Sequence, residues 1–171
     1  KMANILVGRR PKRGSALNLD WAWDGWADPI FNEALDVVGE AIDEKPSDSL
    51  GSADIKLLFR IQMAYLLLWS SIERYLTLRY GLGRNPGQRI VELGREGAFE
   101  AGLAREVKET RSVFRSDKPK KKYTLDPADP AKSVQYYYGV RSNIVHRGKG
   151  TEKDFLTVHS SLGELISIFR Q

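Results

Sequence analysis

Two side chains near the C-terminal end of the chain could carry out acid–base chemistry on a phosphate. Arg141 and His146 stand five residues apart in the stretch VQYYYGVRSNIVHRGKG, residues 134–150. Histidine titrates near neutral pH and can transfer a proton, while the planar guanidinium of arginine matches phosphate oxygens. RNA cleavage by the neighbouring 2′-hydroxyl needs these two functions and does not need a metal. The pair therefore suggests a small, metal-free ribonuclease site.

The spacing of the pair limits how it could work. On a regular helix, five residues rotate Arg141 and His146 apart by roughly 140°, so they cannot share one face. They converge only if the last turn loosens before Gly148, or if a second copy of the chain brings its own pair alongside. Ser142 and Asn143 lie between them and are small polar groups that could orient substrate or His146.

Glu73 is the expected partner of Arg141. It lies four residues after Trp69 and three before Leu76, so its carboxylate borders the apolar stripe of a predicted helix. A carboxylate in such a place usually has a partner. The alternative to catalysis is that Arg141 only forms this structural ion pair, while His146 only caps carbonyl groups at a helix end. Both interpretations stay open at this point.

Cysteine and histidine counts exclude several kinds of site. The chain has no cysteine, which rules out disulfides, thiol nucleophiles and cysteine-based zinc sites. His146 and His159 are the only histidines, and no HExxH spacing is present. We therefore expect no metal site and no cofactor.

The charge balance favours an anionic partner. The formal net charge is +5, and a run KPKKK covers residues 118–122. The residues expected to contact an RNA backbone are Lys118, Lys120, Lys121, Lys122 and Arg147. The alternative is that the run is a solvated loop. The longest apolar run, at 63–69, is far below the roughly 20 residues of a membrane span, and no secretory signal is visible. We expect a cytoplasmic protein without a membrane partner.

Apolar periodicity predicts an all-α protein, a bundle of about five to six helices with an up-and-down core. Helices are predicted over 28–44, 53–80, 86–95, 97–115, 128–147 and 152–170. The proline-rich stretch 116–130 is predicted as an exposed basic loop, in which KKYTL, 121–125, could be a short strand but is weak evidence for a sheet. Residues 1–27, with WAWDGW at 21–26, are expected to be an extension that packs on a single helical domain spanning 28–171.

The apolar stripes also predict how the helices pack. The helix over 53–80 carries a stripe that includes Ile55, Tyr65, Trp69 and Leu76, and it should pack against the helix over 128–147. Three consecutive tyrosines, 136–138, cover most of a helix circumference, so at least one must be buried. We favour packing over base stacking for them.

The motif from Arg141 to His146, RxxxxH, resembles that of HEPN domains, found in prokaryotic defence and toxin systems. With YYYGVRSNIVHRGKG the likeness is greatest to the Apea-like branch. It covers about 53–170 and is strongest at 65–80 and 134–150. The family often has Asn, Asp or His after the arginine, whereas this chain has Ser142 followed by Asn143.

The resemblance implies a fold, a function and partners. It implies a HEPN-like bundle that forms a homodimer, with Arg141 and His146 as the catalytic pair at a shared cleft and Glu73 as a supporting acidic residue. The implied activity is that of a metal-independent endoribonuclease, a toxin or defence effector with a possible antitoxin partner. The alternative is a non-catalytic HEPN module that binds RNA, a nucleotide or a partner protein.

Overall fold

The computed structural model of the chain describes residues 29–42, 52–80, 85–115, 118–147 and 152–170. Six helices and one two-stranded sheet lie within these ranges: α1 Pro29–Ile42, α2 Ser52–Tyr80, α3 Pro86–Leu93, α4 Gly97–Glu106, β1 Arg111–Arg115, β2 Lys118–Leu125, α5 Pro130–Arg147 and α6 Glu152–Phe169. The mostly helical fold is as expected. The predicted extension 1–27, with its aromatic cluster, lies outside the described residues.

The long helix α2 lies at the centre of the fold, in contact with α1, α3, α5 and α6. Tyr65, Trp69 and Leu76 are buried along its predicted stripe. Complete burial of a large apolar side chain stabilises a fold by roughly 1.5–3 kcal/mol. The prediction was wrong for the first residue of the stripe, because the side chain of Ile55 is 56% exposed.

By length and composition alone, the segment Ile55–Thr77 of α2 is apolar enough to span a membrane. More than half of this window is buried within the fold, as in the core helix of a globular domain. Its exposed apolar side chains form a row at four-residue spacing: Ile55, Phe59, Met63 and Leu67. Tertiary packing thus accounts for most of the apolar surface of α2.

The start of α5 follows from local hydrogen bonds. Asp129 precedes Pro130, and its Oδ1 accepts a hydrogen bond from the backbone N–H of Lys132 at 3.1 Å. Such a cap provides an acceptor for a backbone N–H that has no partner within the helix. Proline suits the first helical position because it lacks such an N–H. The Ser133 hydroxyl donates to the carbonyl of Asp126 and accepts from its N–H, at 2.6 and 2.8 Å. The helix therefore begins within two residues of the predicted start.

The segment between α4 and α5 differs from the prediction. Strands β1 and β2, together called the hairpin below, pair antiparallel, with Arg111 opposite Leu125 and Phe114 opposite Lys122. The helix predicted over 97–115 ends at Glu106, and the loop predicted over 116–130 was wrong over 118–125. The side chains of β1 alternate between exposed and partly buried, which is the two-residue period of a strand. Cross-strand packing of β-branched and aromatic residues stabilises this pair despite its lysines.

Gly139 of α5 lets the hairpin approach the helix closely. A Cβ at this position would lie 2.8 Å from Cδ2 of Tyr123 on β2. The absence of a side chain therefore provides room for the tyrosine ring. This contact places the basic strand beside the C-terminal half of α5, where Arg141 and His146 lie.

We expect Gly139→Ala to destabilise the protein by roughly 1–3 kcal/mol, because the ring of Tyr123 and its strand must shift. Gly97→Ala is the matched control, since a Cβ there meets nothing within 4 Å, and it should be neutral or slightly stabilising. Urea denaturation followed by circular dichroism measures both free energies of unfolding. Equal values for the two variants would contradict the proposed close contact.

Candidate functional site

Arg141 is oriented by two neighbours. Its Nη2 lies 3.4 Å from Oε1 of Glu73 on α2, and its Cζ lies 5.6 Å from the centre of the Tyr138 ring. Tyr138 in turn packs edge-on against Trp69, with ring centres 5.5 Å apart. The predicted pairing of Glu73 with Arg141 is therefore present, and it links α5 to α2 beside the core.

The contact between Arg141 and Glu73 is loose. Charge-assisted hydrogen bonds are normally about 2.7–2.9 Å long, shorter than the 3.4 Å seen here. The two side chains are also 28% and 36% exposed, so water weakens their attraction. Ion pairs of this kind contribute roughly 0–1 kcal/mol. Arg141 is thus positioned by its neighbours while its side chain stays partly exposed.

His146 lies on a different side of α5 from Arg141. The helix continues through Arg147, so the last turn does not loosen before Gly148. Five residues of regular helix separate the two side chains by roughly 140°. His146 is exposed to solvent. Of the two ways in which the pair could converge, only approach by a second copy is compatible with this helix.

The two polar residues between Arg141 and His146 have different surroundings. Asn143 Nδ2 donates a hydrogen bond to the carbonyl oxygen of Phe114 at 2.9 Å, which ties α5 to β1. Ser142 is partly buried. Asn143 therefore positions the hairpin relative to the helix end, a role that its neighbourhood in sequence did not indicate.

The predicted RNA-binding lysines lie on β2 rather than in a loop. Lys118, Lys120, Lys121 and Lys122 are all exposed there. The ammonium group of Lys121 lies 5.2 Å from the centre of the Tyr123 ring. The side chain of Arg147 is outside the described part of the chain. Extended backbone spaces these charges along an edge that a nucleic-acid strand can follow.

Sequence reasoning missed Phe114, which is 57% exposed on β1 and directly opposite Lys122. An exposed aromatic beside lysines is the combination found in proteins that stack unpaired bases. The alternation in RSVFR, just before the lysine run, was the available signal.

A second arginine–glutamate pair lies nearby and was also missed. Arg111 of β1 donates to Oε1 of Glu164 on α6 at 2.6 Å, and Tyr137 donates to Oε2 at 2.9 Å. The Tyr65 hydroxyl donates to the carbonyl oxygen of Tyr137, also at 2.9 Å. Tyr136 and Tyr137 are both buried, as the preference for packing predicted. These contacts join β1, α6, α5 and α2.

Burial sets the protonation of this cluster. Burial raises the pKa of Tyr65, and burial together with the Glu164 carboxylate raises the pKa of Tyr137. Both hydroxyls therefore stay protonated and act as donors. Burial would lower the pKa of Arg111, but hydrogen bonding and attraction to Glu164 outweigh it, so its pKa rises. The Arg111 Nη2 and the two tyrosine hydroxyls all donate within this network, whereas the buried Nε of Arg111 has no hydrogen-bond partner among the described residues.

Within the described ranges, no group of three or more His, Asp and Glu side chains is arranged to hold a metal ion. None of the family models, curated proteins or solved structures compared with the chain matches it.

We expect the two glutamates to differ in their effect on stability. Glu164→Gln leaves Arg111 without a charged partner and should lower the free energy of unfolding by roughly 1–3 kcal/mol, since Glu164 is mostly buried and its hydrogen bonds from Arg111 and Tyr137 are weakened. Glu73→Gln should lower it by less than about 1 kcal/mol, because that pair is loose and exposed. Urea titrations of both variants measure the difference. A larger loss for Glu73→Gln would show that the Arg141 pair is structural.

Proposed function

We propose that this chain is a HEPN-type domain that cleaves RNA without a metal, at a cleft formed by two copies of the chain. The observation that carries the proposal is the state of Arg141. Glu73 and Tyr138 orient its guanidinium, yet the side chain remains partly exposed near the helix end that bears His146. The RxxxxH motif and the adjacent basic strand support the same function.

The proposed reaction is attack of the 2′-hydroxyl on the neighbouring phosphorus. His146 of one copy accepts the hydroxyl proton as the O2′–P bond forms. The P–O5′ bond breaks, and His146 of the other copy donates a proton to the leaving oxygen. The products are a 2′,3′-cyclic phosphate and a free 5′-hydroxyl. Arg141 binds the phosphate oxygens, whose charge it matches with a planar pair of donors.

A specific observation favours a second candidate, a non-catalytic RNA-binding module. Within one copy, the unbroken helix α5 holds Arg141 and His146 on different sides. The basic strand and Phe114 provide binding chemistry that needs neither residue. Both candidates bind RNA, so cleavage is what distinguishes them.

We expect the purified protein to cleave single-stranded RNA in EDTA and to leave a 2′,3′-cyclic phosphate. His146→Ala should lower the rate on the order of 10²–10⁴-fold, because it removes a proton-transfer group. His159→Ala is the matched control. That histidine stacks on Phe155 and lies 3.3 Å from the carbonyl oxygen of Ile42, away from the proposed chemistry. Labelled RNA and gel electrophoresis measure the rates.

The same assay includes Arg141→Lys, which should also be nearly inactive, because an ammonium cannot reproduce the two-donor grip on a phosphate. DNA of the same sequence should resist cleavage, since it lacks the 2′-hydroxyl. Cleavage that depends on added metal, or full activity in His146→Ala, would overturn the mechanism. RNA binding without cleavage by any form would establish the second candidate.

We expect a two-fold dimer at micromolar concentration, because one copy cannot bring its own pair together. Sedimentation velocity measures the mass, and the cleavage rate per chain should fall at concentrations where the dimer dissociates. A monomeric mass with undiminished cleavage would exclude a shared cleft.

A further inference from the structure

A cleft of about 280 Å³ opens between the hairpin, the C-terminal half of α5 and the first turns of α6. Its volume is near the lower end of the roughly 300–1,000 Å³ range for small-ligand sites. A single nucleobase suits this space better than a large cofactor. The cleavage mechanism proposed above does not use this cleft.

Apolar side chains form part of the wall of the cleft, and an exposed phenylalanine is among its lining residues. Ile144 of α5 and Val158 of α6 line it, and Phe114 of β1 stands at its edge with more than half of its surface exposed. The hydrogen bond from Asn143 to the carbonyl of Phe114 holds this residue in place relative to α5. A planar base can stack on such a ring while its other face meets aliphatic side chains.

Polar side chains in the same cleft could contact the edge of a base. Asn143, Asp154 and Thr157 line it from α5 and α6. A carboxylate accepts hydrogen bonds from exocyclic amino groups, which cytosine, adenine and guanine carry and uracil does not. Asp154 therefore favours a base that has an amino group.

The charge beside the cleft suits a phosphate backbone. Lys122 is paired directly opposite Phe114, and Lys120 and Lys121 precede it on β2. Side chains of directly opposite residues lie on the same face, with Cβ atoms about 4.5–5.5 Å apart. A strand whose base stacks on Phe114 would thus have its phosphates near Lys122, while Lys121 lies on the face of Tyr123.

We infer that this cleft binds one unpaired nucleobase of single-stranded RNA, with Phe114 as the stacking residue and Asp154 selecting a base that carries an amino group. The inference rests on the proposed RNA-binding function and gives it a site for sequence preference. The lysines of β2 supply affinity for the backbone and no preference among bases.

The test measures binding of fluorescently labelled oligocytidine and oligouridine by anisotropy, with His146→Ala protein so that no RNA is cut. Oligocytidine should bind about tenfold more tightly than oligouridine. Phe114→Ala should weaken binding of both about tenfold, and Phe114→Trp should retain it. Phe59→Ala removes an equally exposed phenylalanine outside the cleft and should have no effect.

Two further variants separate base contacts from phosphate contacts. Asp154→Asn should reduce the preference for cytidine, because an amide both donates and accepts. Replacing Lys121 and Lys122 with Gln should weaken binding of both oligonucleotides equally and flatten the dependence on salt. Circular dichroism confirms that each variant is folded. If Asp154→Asn does not fold, Thr157→Val takes its place. It should also change the ratio of the affinities for oligocytidine and oligouridine.

The outcomes distinguish this inference from the function on which it rests. If the protein binds no RNA, the proposed function and the inference both fail. If it binds both oligonucleotides equally, and neither Phe114→Ala nor Asp154→Asn changes binding, the RNA function stands and the nucleobase cleft is excluded. A lowered affinity in Phe114→Ala, restored in Phe114→Trp, together with a changed base preference in Asp154→Asn supports it.

Discussion

The hydrogen bonds around the carboxylate of Glu164 fix the positions of β1, α5 and α2 relative to α6. The carboxylate accepts from Arg111 of β1 and from Tyr137 of α5, while the carbonyl of Tyr137 accepts from Tyr65 of α2. A carboxylate that is mostly withdrawn from water must have such partners, because an unpaired buried charge is costly. Four elements are thus fixed around one charge. Among the described residues, three contacts hold the hairpin: this one to α6, and two to α5, the fit of Tyr123 on Gly139 and the hydrogen bond from Asn143 to Phe114.

This arrangement gives α5 two different sides. One side contacts α2, where Arg141 meets Glu73. The other carries the hairpin, held by Asn143 and by the close approach at Gly139. Because α5 is unbroken through Arg147, we expect a displacement of the hairpin to move the end of α5 as a rigid body. The candidate site and the basic strand are therefore mechanically connected through one helix.

Much of the fold could be predicted from the sequence, since apolar side chains repeat at helical spacing in α1, α2, α5 and α6. The Arg141–Glu73 pair could also be predicted, because both residues border stripes on helices expected to pack together. The hairpin could not. A lysine-rich strand has weak local preference for extended structure, and it is stabilised by Tyr123 meeting a glycine in a later helix. Glu164 was missed for a related reason. Its partner Arg111 is 53 residues away, and neither residue carries a local mark of burial.

The contrast between the two arginine–glutamate pairs indicates where binding can occur. Arg111 contacts both oxygens of Glu164 and lies over the Tyr136 ring, so a phosphate could bind it only by displacing short, charge-assisted hydrogen bonds to a mostly buried carboxylate. Arg141 makes a long contact with the partly exposed Glu73, which costs little to exchange for a phosphate. A tighter bond to Glu73 would stabilise the fold slightly and would compete with any anionic ligand. The weakness of this pair is therefore compatible with the proposed phosphate-binding role, and it is the physical reason why the proposal assigns that role to Arg141 rather than to Arg111.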